Sequence, residues 1–237
     1  MGRFFSFLIF IIFINGTNGS SQARNSYKIL YVGNSLTYVN DLPALINELA
    51  SMDSVNISYK AFLYPDYSLE DHWKEGKVEE EIENGKYDFV VMQQGPSAAV
   101  ESQVLLLDYV RRFAEVGKKA NTRSALYMVW PSKARSFDLE NVIKSYSNAA
   151  KTTSSILCPA GLAWKIAWES NDALNLYGPD NFHPSVKGSV LAALTLYASL
   201  FKKGNLEFVN YKNISWNKDV TADEFTLLKK AALKSLQ

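Results

Sequence analysis

The chain has 237 residues, of which 47% are hydrophobic and 21% charged, the make-up of an ordinary globular protein of one domain. A formal charge of +1 carries no electrostatic footprint for nucleic acid or an anionic membrane surface. One cysteine, Cys158, excludes an internal disulfide framework and a cysteine-built metal cluster, and two histidines, His72 and His183, are too few for a histidine-rich metal site.

The N-terminus is a different material. Arg3 precedes an apolar run from Phe4 to Ile14, followed by small and polar residues as far as Ala23. A basic start, a short apolar core and a Ser21-Gln22-Ala23 ending are the layout of a secretory signal. The run is shorter than the roughly 20 residues that span a bilayer. We therefore expect a leader over residues 1–23 and a single domain over 24–237, secreted or periplasmic, with no stable membrane insertion once the leader is removed. An uncleaved anchor is the alternative. Removing the leader leaves 24 basic against 24 acidic residues.

The domain opens with Lys28-Ile29-Leu30-Tyr31-Val32, a short buried strand, and then Gly33-Asn34-Ser35-Leu36. Gly33 is expected to supply a backbone angle closed to other residues. A helix follows to Met52, with Leu42, Leu45, Ile46 and Leu49 at helical spacing. Asn56 to Leu63 alternates as a second strand, broken by Pro65-Asp66-Tyr67. Ser68 has the character of an N-cap for a helix that carries Leu69, Trp73, Val78 and Ile82 inward. Glu79-Glu80-Glu81 is its solvated face. Tyr87 to Met92 is a third strand ending in Gln93-Gln94-Gly95-Pro96-Ser97.

Val100 to Val116 reads as a long amphipathic helix, Ser124 to Trp130 as a fourth strand, and Leu139 to Ala150 as a helix. Ser155 to Cys158 makes a fifth strand, and Gly161 to Glu169 a helix whose Trp164 and Trp168 have core spacing. A polar loop, Leu176 to Pro184, opens the helix Ser185 to Phe201. Thr221-Ala222-Asp223-Glu224 is a capping box for the closing helix. Strand and helix alternate about five times over short links, so the expected fold is a three-layer α/β/α sandwich on a flavodoxin-like parallel sheet of about five strands.

In such sheets ligands bind beyond the C-terminal strand ends. The residues found there are Ser35, the Asp66-Tyr67-Ser68 segment, Gln93, Gln94, Trp130, and the loop carrying Asp180 and His183. A serine hydroxyl needs a base before it can act as a nucleophile, and His183 is the candidate. Asp180, three residues earlier, can hold one ring nitrogen and leave the other for Ser35. Trp130 and Asn34 are candidate substrate-rim residues. His72 is a packing or rim residue.

These segments resemble the SGNH/GDSL hydrolases. Gly33-Asn34-Ser35-Leu36 is similar to their first block, with Asn where Asp usually stands. Asp180-Asn181-Phe182-His183-Pro184 is similar to their closing Asp-X-X-His block. Tyr67 to Trp73, Val91-Met92-Gln93-Gln94 and Pro159 to Trp164 resemble further blocks of a bacterial branch. The resemblance implies a serine esterase with Ser35 as nucleophile, His183 as base and Asp180 orienting it, and no cofactor or metal. It implies an oxyanion hole of the Ser35 N–H, a backbone N–H of block two and an amide of block three.

Two departures from the family stand out. Asp66 or Tyr67 occupies the place of the block-two glycine. Gln93 or Gln94 replaces the block-three Asn, with Gln94 preferred on strand parity. The expected substrate is a small-molecule or glycan ester, with removal of a small acyl group such as acetyl from a carbohydrate or similar alcohol. A non-catalytic glycan-binding module on the same fold is the alternative.

Overall fold

The computed structural model describes residues 1–2 and 25–237. From residue 3 onward, the expected leader lies outside the described residues. Apolar runs form the strands β1 (Ser26–Gly33), β2 (Asn56–Leu63), β3 (Phe89–Met92), β4 (Arg123–Tyr127) and β5 (Ile156–Cys158). All neighbours pair in parallel, in the order β2-β1-β3-β4-β5. Ile29 to Val32 and Phe89 to Met92 are at most 1% exposed, because a parallel sheet is covered on both faces.

The helices are α1 (Ser35–Tyr38), α2 (Leu42–Met52), α3 (Leu69–Glu75), α4 (Lys77–Gly85), α5 (Val100–Lys119), α6 (Leu139–Thr153), α7 (Ala160–Ser170), α8 (Val186–Leu200) and α9 (Ala222–Lys234). One group, α3 to α6, packs together, and a second group contains α2, α7, α8 and α9. The result is the three-layer sandwich expected. Helix α8 is apolar on nearly every side because α2 and α7 flank it and α9 packs against it as well. Among the described residues, no helix is long and apolar enough to cross a membrane.

Several local expectations hold in detail. Ser68 caps α3 in a capping box with Asp71, and Thr221 caps α9 in one with Glu224. Three differ. The helix expected to run from Ser68 past Ile82 is two helices, α3 and α4, divided at Gly76, whose φ of +73° ends the first and starts the second. The fourth strand stops at Tyr127 rather than Trp130. Past that point the Met128 N–H still donates to the Cys158 carbonyl of β5 at 3.0 Å, but its carbonyl accepts from the Gly161 N–H at 3.0 Å, so the chain turns to the start of α7.

Gly33 is the third difference. It is an ordinary strand residue and needs no unusual angle. What excludes a side chain there is crowding: a Cβ at Gly33 would lie 2.6 Å from Gln93 Oε1 and 3.1 Å from Thr37 Oγ1.

Candidate active site

The order of strands reverses across β1 and β3, and the ends of both carry polar residues where apolar strand gives way to loop. Asn34 is the N-cap of α1: its Oδ1 accepts from the Leu36 N–H at 3.1 Å. That places Ser35 in the first turn, where backbone N–H groups have no helical acceptor. The Ser35 residue is 8% exposed.

The loop that faces it, Leu176 to Ser185, is closed on itself. The Gly178 N–H donates to the His183 carbonyl at 2.7 Å, and the Ser185 N–H to the Leu176 carbonyl at 2.8 Å. Within this hairpin Asp180 Oδ1 accepts from the N–H groups of Phe182, at 3.0 Å, and His183, at 2.9 Å. Its Oδ2 accepts from His183 Nδ1 at 2.5 Å. Because a carboxylate can only accept, Nδ1 carries the proton and Nε2 presents its lone pair. That Nε2 lies 2.8 Å from Ser35 Oγ.

Three residues, the outermost 148 positions apart in sequence, thus make one hydrogen-bonded chain. The bond from His183, followed by that from the Phe182 N–H, pulls the Asp180 carboxyl down to about 2. Asp180 is therefore ionised at any pH where an imidazole is neutral.

Other parts of the structure hold this hairpin against the sheet. Asn40, at φ +56°, donates from Nδ2 to the Pro184 carbonyl at 3.1 Å and to Ser189 Oγ at 2.9 Å. The Tyr177 hydroxyl donates to the Pro131 carbonyl at 2.7 Å. Sequence reading missed Asn40. The only trace of it there is an Asn in a turn, a residue that tolerates left-handed angles.

Gln93 and Gln94 part company. Gln93 turns inward under the β1–α1 turn: Oε1 accepts from the Asn34 N–H at 2.9 Å and from Thr37 Oγ1 at 2.8 Å, and Nε2 donates to Asn34 Oδ1 at 3.0 Å. It is 1% exposed and does not line the cleft beside Ser35, so the structure corrects its placement as an oxyanion group. Gln94 does line that cleft, with Nε2 donating to Ser97 Oγ at 3.1 Å. Just past the end of β3 the two neighbouring side chains take opposite sides of the chain, which separates them.

The cleft has a volume of about 420 Å³, and Ser35, Asp66, Tyr67, Gln94, Leu105 and Phe182 are among its walls. Asp66 adopts φ +60°, in the left-handed region that favours glycine. Its N–H has no hydrogen-bond partner among the described residues, nor has that of Ser35. The Tyr67 N–H is already directed at the Tyr64 carbonyl, at 3.4 Å. Leu105 and Phe182 give the cleft an apolar side that the motifs did not announce.

The three rim candidates fare differently: His72 takes the packing alternative, Trp130 is displaced from the rim, and Asn34 stays at its edge. His72 is 1% exposed and its Nε2–H donates to the Gly33 carbonyl at 2.8 Å, so it is a buried prop for the end of β1. Burial lowers its pKa, which keeps the ring neutral. Trp130 is wholly buried, stacked on Trp164 with ring centroids 3.5 Å apart, and donates from Nε1 to the Phe182 carbonyl at 3.2 Å. It supports the histidine loop from beneath. Asn34 borders the cleft, but its side chain is used internally: Nδ2 donates to the Tyr67 carbonyl at 2.9 Å while Oδ1 serves Leu36 and Gln93.

No family model and no curated protein matches the sequence. Solved structures do. A presumed SGNH hydrolase from Slackia heliotrinireducens is 26% identical, with a TM-score of 0.63, over 74% of this chain and 100% of that one. A DUF4886 family protein from Bacteroides uniformis is 15% identical, with a TM-score of 0.74, over 89% of this chain and 95% of that one. An acetylxylan esterase from Geobacillus stearothermophilus is 15% identical, with a TM-score of 0.58, over 78% and 96% of the two chains. The fold is the one these SGNH hydrolases and esterases share, and the likeness supports the SGNH/GDSL class that the order of the motifs resembles.

Proposed function

We propose that the protein is a serine esterase that removes a small acyl group, such as acetyl, from a carbohydrate or similar alcohol outside the cytoplasm. The observation that carries the chemistry is the unbroken chain from Ser35 Oγ through His183 to Asp180, at 2.8 and 2.5 Å. Nε2 takes the hydroxyl proton as Oγ attacks the ester carbonyl carbon, giving a tetrahedral oxyanion. The Ser35 N–H, with the Asp66 N–H and the Gln94 amide as its companions, receives that charge; a single donor of this kind typically contributes about 10²–10³ in rate.

Collapse of the intermediate expels the alcohol, which takes the proton from His183. Water then attacks the acyl carbon while giving a proton to the same nitrogen; the second intermediate breaks its bond to Oγ, which takes that proton back, leaving the acid and free Ser35. Asp180 keeps the ring in the tautomer that this cycle requires and stabilises the imidazolium formed twice within it. The esters named for the structural neighbours, together with the expected leader, support the choice of a saccharide alcohol.

The experiment is hydrolysis of p-nitrophenyl acetate and of acetylated xylo-oligosaccharides by the purified protein and by Ser35→Ala. The variant should retain less than about 1% of the parent rate. Activity undiminished in Ser35→Ala would remove the proposal. Labelling by a fluorophosphonate separates an esterase, tagged at Ser35, from a module that only binds glycans.

A further inference from the structure

At the opposite end of the sheet, beside the starts of β4 and β5, lies a second cavity of about 540 Å³. Arg111, Glu115 and Lys118 face it from α5, where spacings of four and three residues put them on one side of the helix. Arg123, the first residue of β4, faces it from the sheet. Three cations thus meet one carboxylate, a local charge of +2 on a chain whose formal total is +1.

The cations are also unneutralised. Arg112, next in sequence to Arg111, is paired with Asp108 at 3.0 Å, whereas Arg111, Lys118 and Arg123 close no ion pair among the described residues. Glu115 is spaced to reach Arg111 or Lys118 and pairs with neither. The end of α5 accounts for a lysine at 118, since a helix C-terminus favours positive charge; it does not account for Arg111, two turns earlier, or for Arg123 on the strand.

The rest of the wall mixes hydroxyl-bearing residues with the apolar Ala114 and Ile156, and the hydroxyls of Thr122 and Thr153 are already bonded to carbonyls. Ser124 on β4, Thr152 at the end of α6 and Ser154 after it have side-chain oxygens without a hydrogen-bond partner among the described residues. Ser154 is held at φ +55° as the helix ends. Guanidinium forks, an ammonium and free hydroxyls around one concavity suit a group with several charged acceptor oxygens. A carboxylate, with two, would leave most of these donors idle.

We infer that this cavity binds a phosphate or sulfate group, carried as an ester on a small body such as a saccharide, at a site remote from Ser35. The volume exceeds that of a bare tetrahedral ion, which is the reason for the attached body. The inference does not depend on what Ser35 does.

The test is calorimetric titration of the purified full-length protein with inorganic phosphate, inorganic sulfate and galactose 6-sulfate. Ionic strength is held constant with sodium chloride, because simple screening would otherwise mimic binding. Saturable binding is expected, strongest for galactose 6-sulfate, and weakened about tenfold in Arg111→Gln and again in Lys118→Gln, the worth of one charge-assisted hydrogen bond each. Equal affinity for the inorganic ions would assign the site to the free anion.

Arg123 lies over the Phe89 ring at 3.9 Å, so its replacement disturbs packing as well, and the two α5 variants carry the test. Esterase turnover should stay within about twofold in both, the sites being far apart. Heats no larger than those of sodium chloride would overturn the inference. So would binding that the double variant Arg111→Gln/Lys118→Gln leaves unchanged.

Discussion

Gln93 Oε1 accepts a hydrogen bond from the backbone N–H of Asn34 at 2.9 Å, and in doing so occupies the space that any side chain at position 33 would need. The turn that presents Ser35 is thus set by a residue 58 positions further along the chain. Asn34 extends the tie by bonding the Tyr67 carbonyl, so three strand-end loops share one buried polar knot. Every member is satisfied within it, the condition under which such networks rigidify a site.

Gly33→Ala should therefore destabilise the protein by about 1–3 kcal/mol through overpacking. Urea unfolding measures it. Gln93→Ala in the same chain should recover part of the loss by removing the atom that the new methyl meets. If Gly33→Ala is neutral, crowding is not what the glycine serves.

Asp180→Asn should lower kcat by about 10²–10⁴ with little change in KM, since the amide can present an N–H to Nδ1 and turn the ring's lone pair away from Ser35. The carboxyl itself titrates at about 2. With its folded value below its unfolded one, its stabilising effect is complete above the unfolded value and disappears as pH falls through about 2. Across a working range of about pH 4 to 9 Asp180 stays charged, so the acid limb of kcat/KM should fit a single ionisation, with none from this carboxyl. Two protons in that limb would contradict this.

His72 makes the converse prediction about stability. Burial lowers its folded pKa from the ordinary 6.5, so the unfolded chain takes up its proton first as pH falls. The contribution is whole above 6.5 and is lost below it, towards the folded value. His72→Gln keeps a donor for the Gly33 carbonyl without a titrating group. Denaturation between about pH 5 and 8 should show a slope in the parent that is shallower in the variant. Equal slopes would mean the ring is not held neutral.

Trp130→Phe retains most of the stack on Trp164 but deletes the N–H that reaches the Phe182 carbonyl. The expected cost is about 1–3 kcal/mol, the penalty of leaving one buried acceptor unpaired. Because Phe182 precedes His183, kcat should fall more than KM rises. Trp130→Ala, which also empties an indole-sized volume, should cost about 3–5 kcal/mol. Thermal unfolding and steady-state kinetics with p-nitrophenyl acetate measure both.

Much of the architecture is legible in one dimension because its causes are local. Ser68 with Asp71 and Thr221 with Glu224 announce helix starts within four residues, and Asp180 with His183 lies inside a single turn. Apolar runs of strand length separated by helical periods are enough to imply a parallel sheet covered on both faces. The break at Gly76 was readable in principle, but an apolar stripe from Leu69 to Ile82 spans it without interruption, and periodicity alone favours one helix.

The roles of His72, Trp130 and the two glutamines were decided only by folding. Each depends on which way a strand-end or helix side chain faces and on what a distant segment brings to meet it. His72 finds a carbonyl 39 residues away, Trp130 one 52 residues away, and Gln93 an amide 59 residues away. A buried polar atom must find a partner, and which partner is near is a property of packing and register rather than of residue type. Motif order was sufficient for the fold and for naming Ser35, Asp180 and His183 as residues that could meet; three-dimensional packing alone turned Gln94 to the cleft and Gln93 away from it.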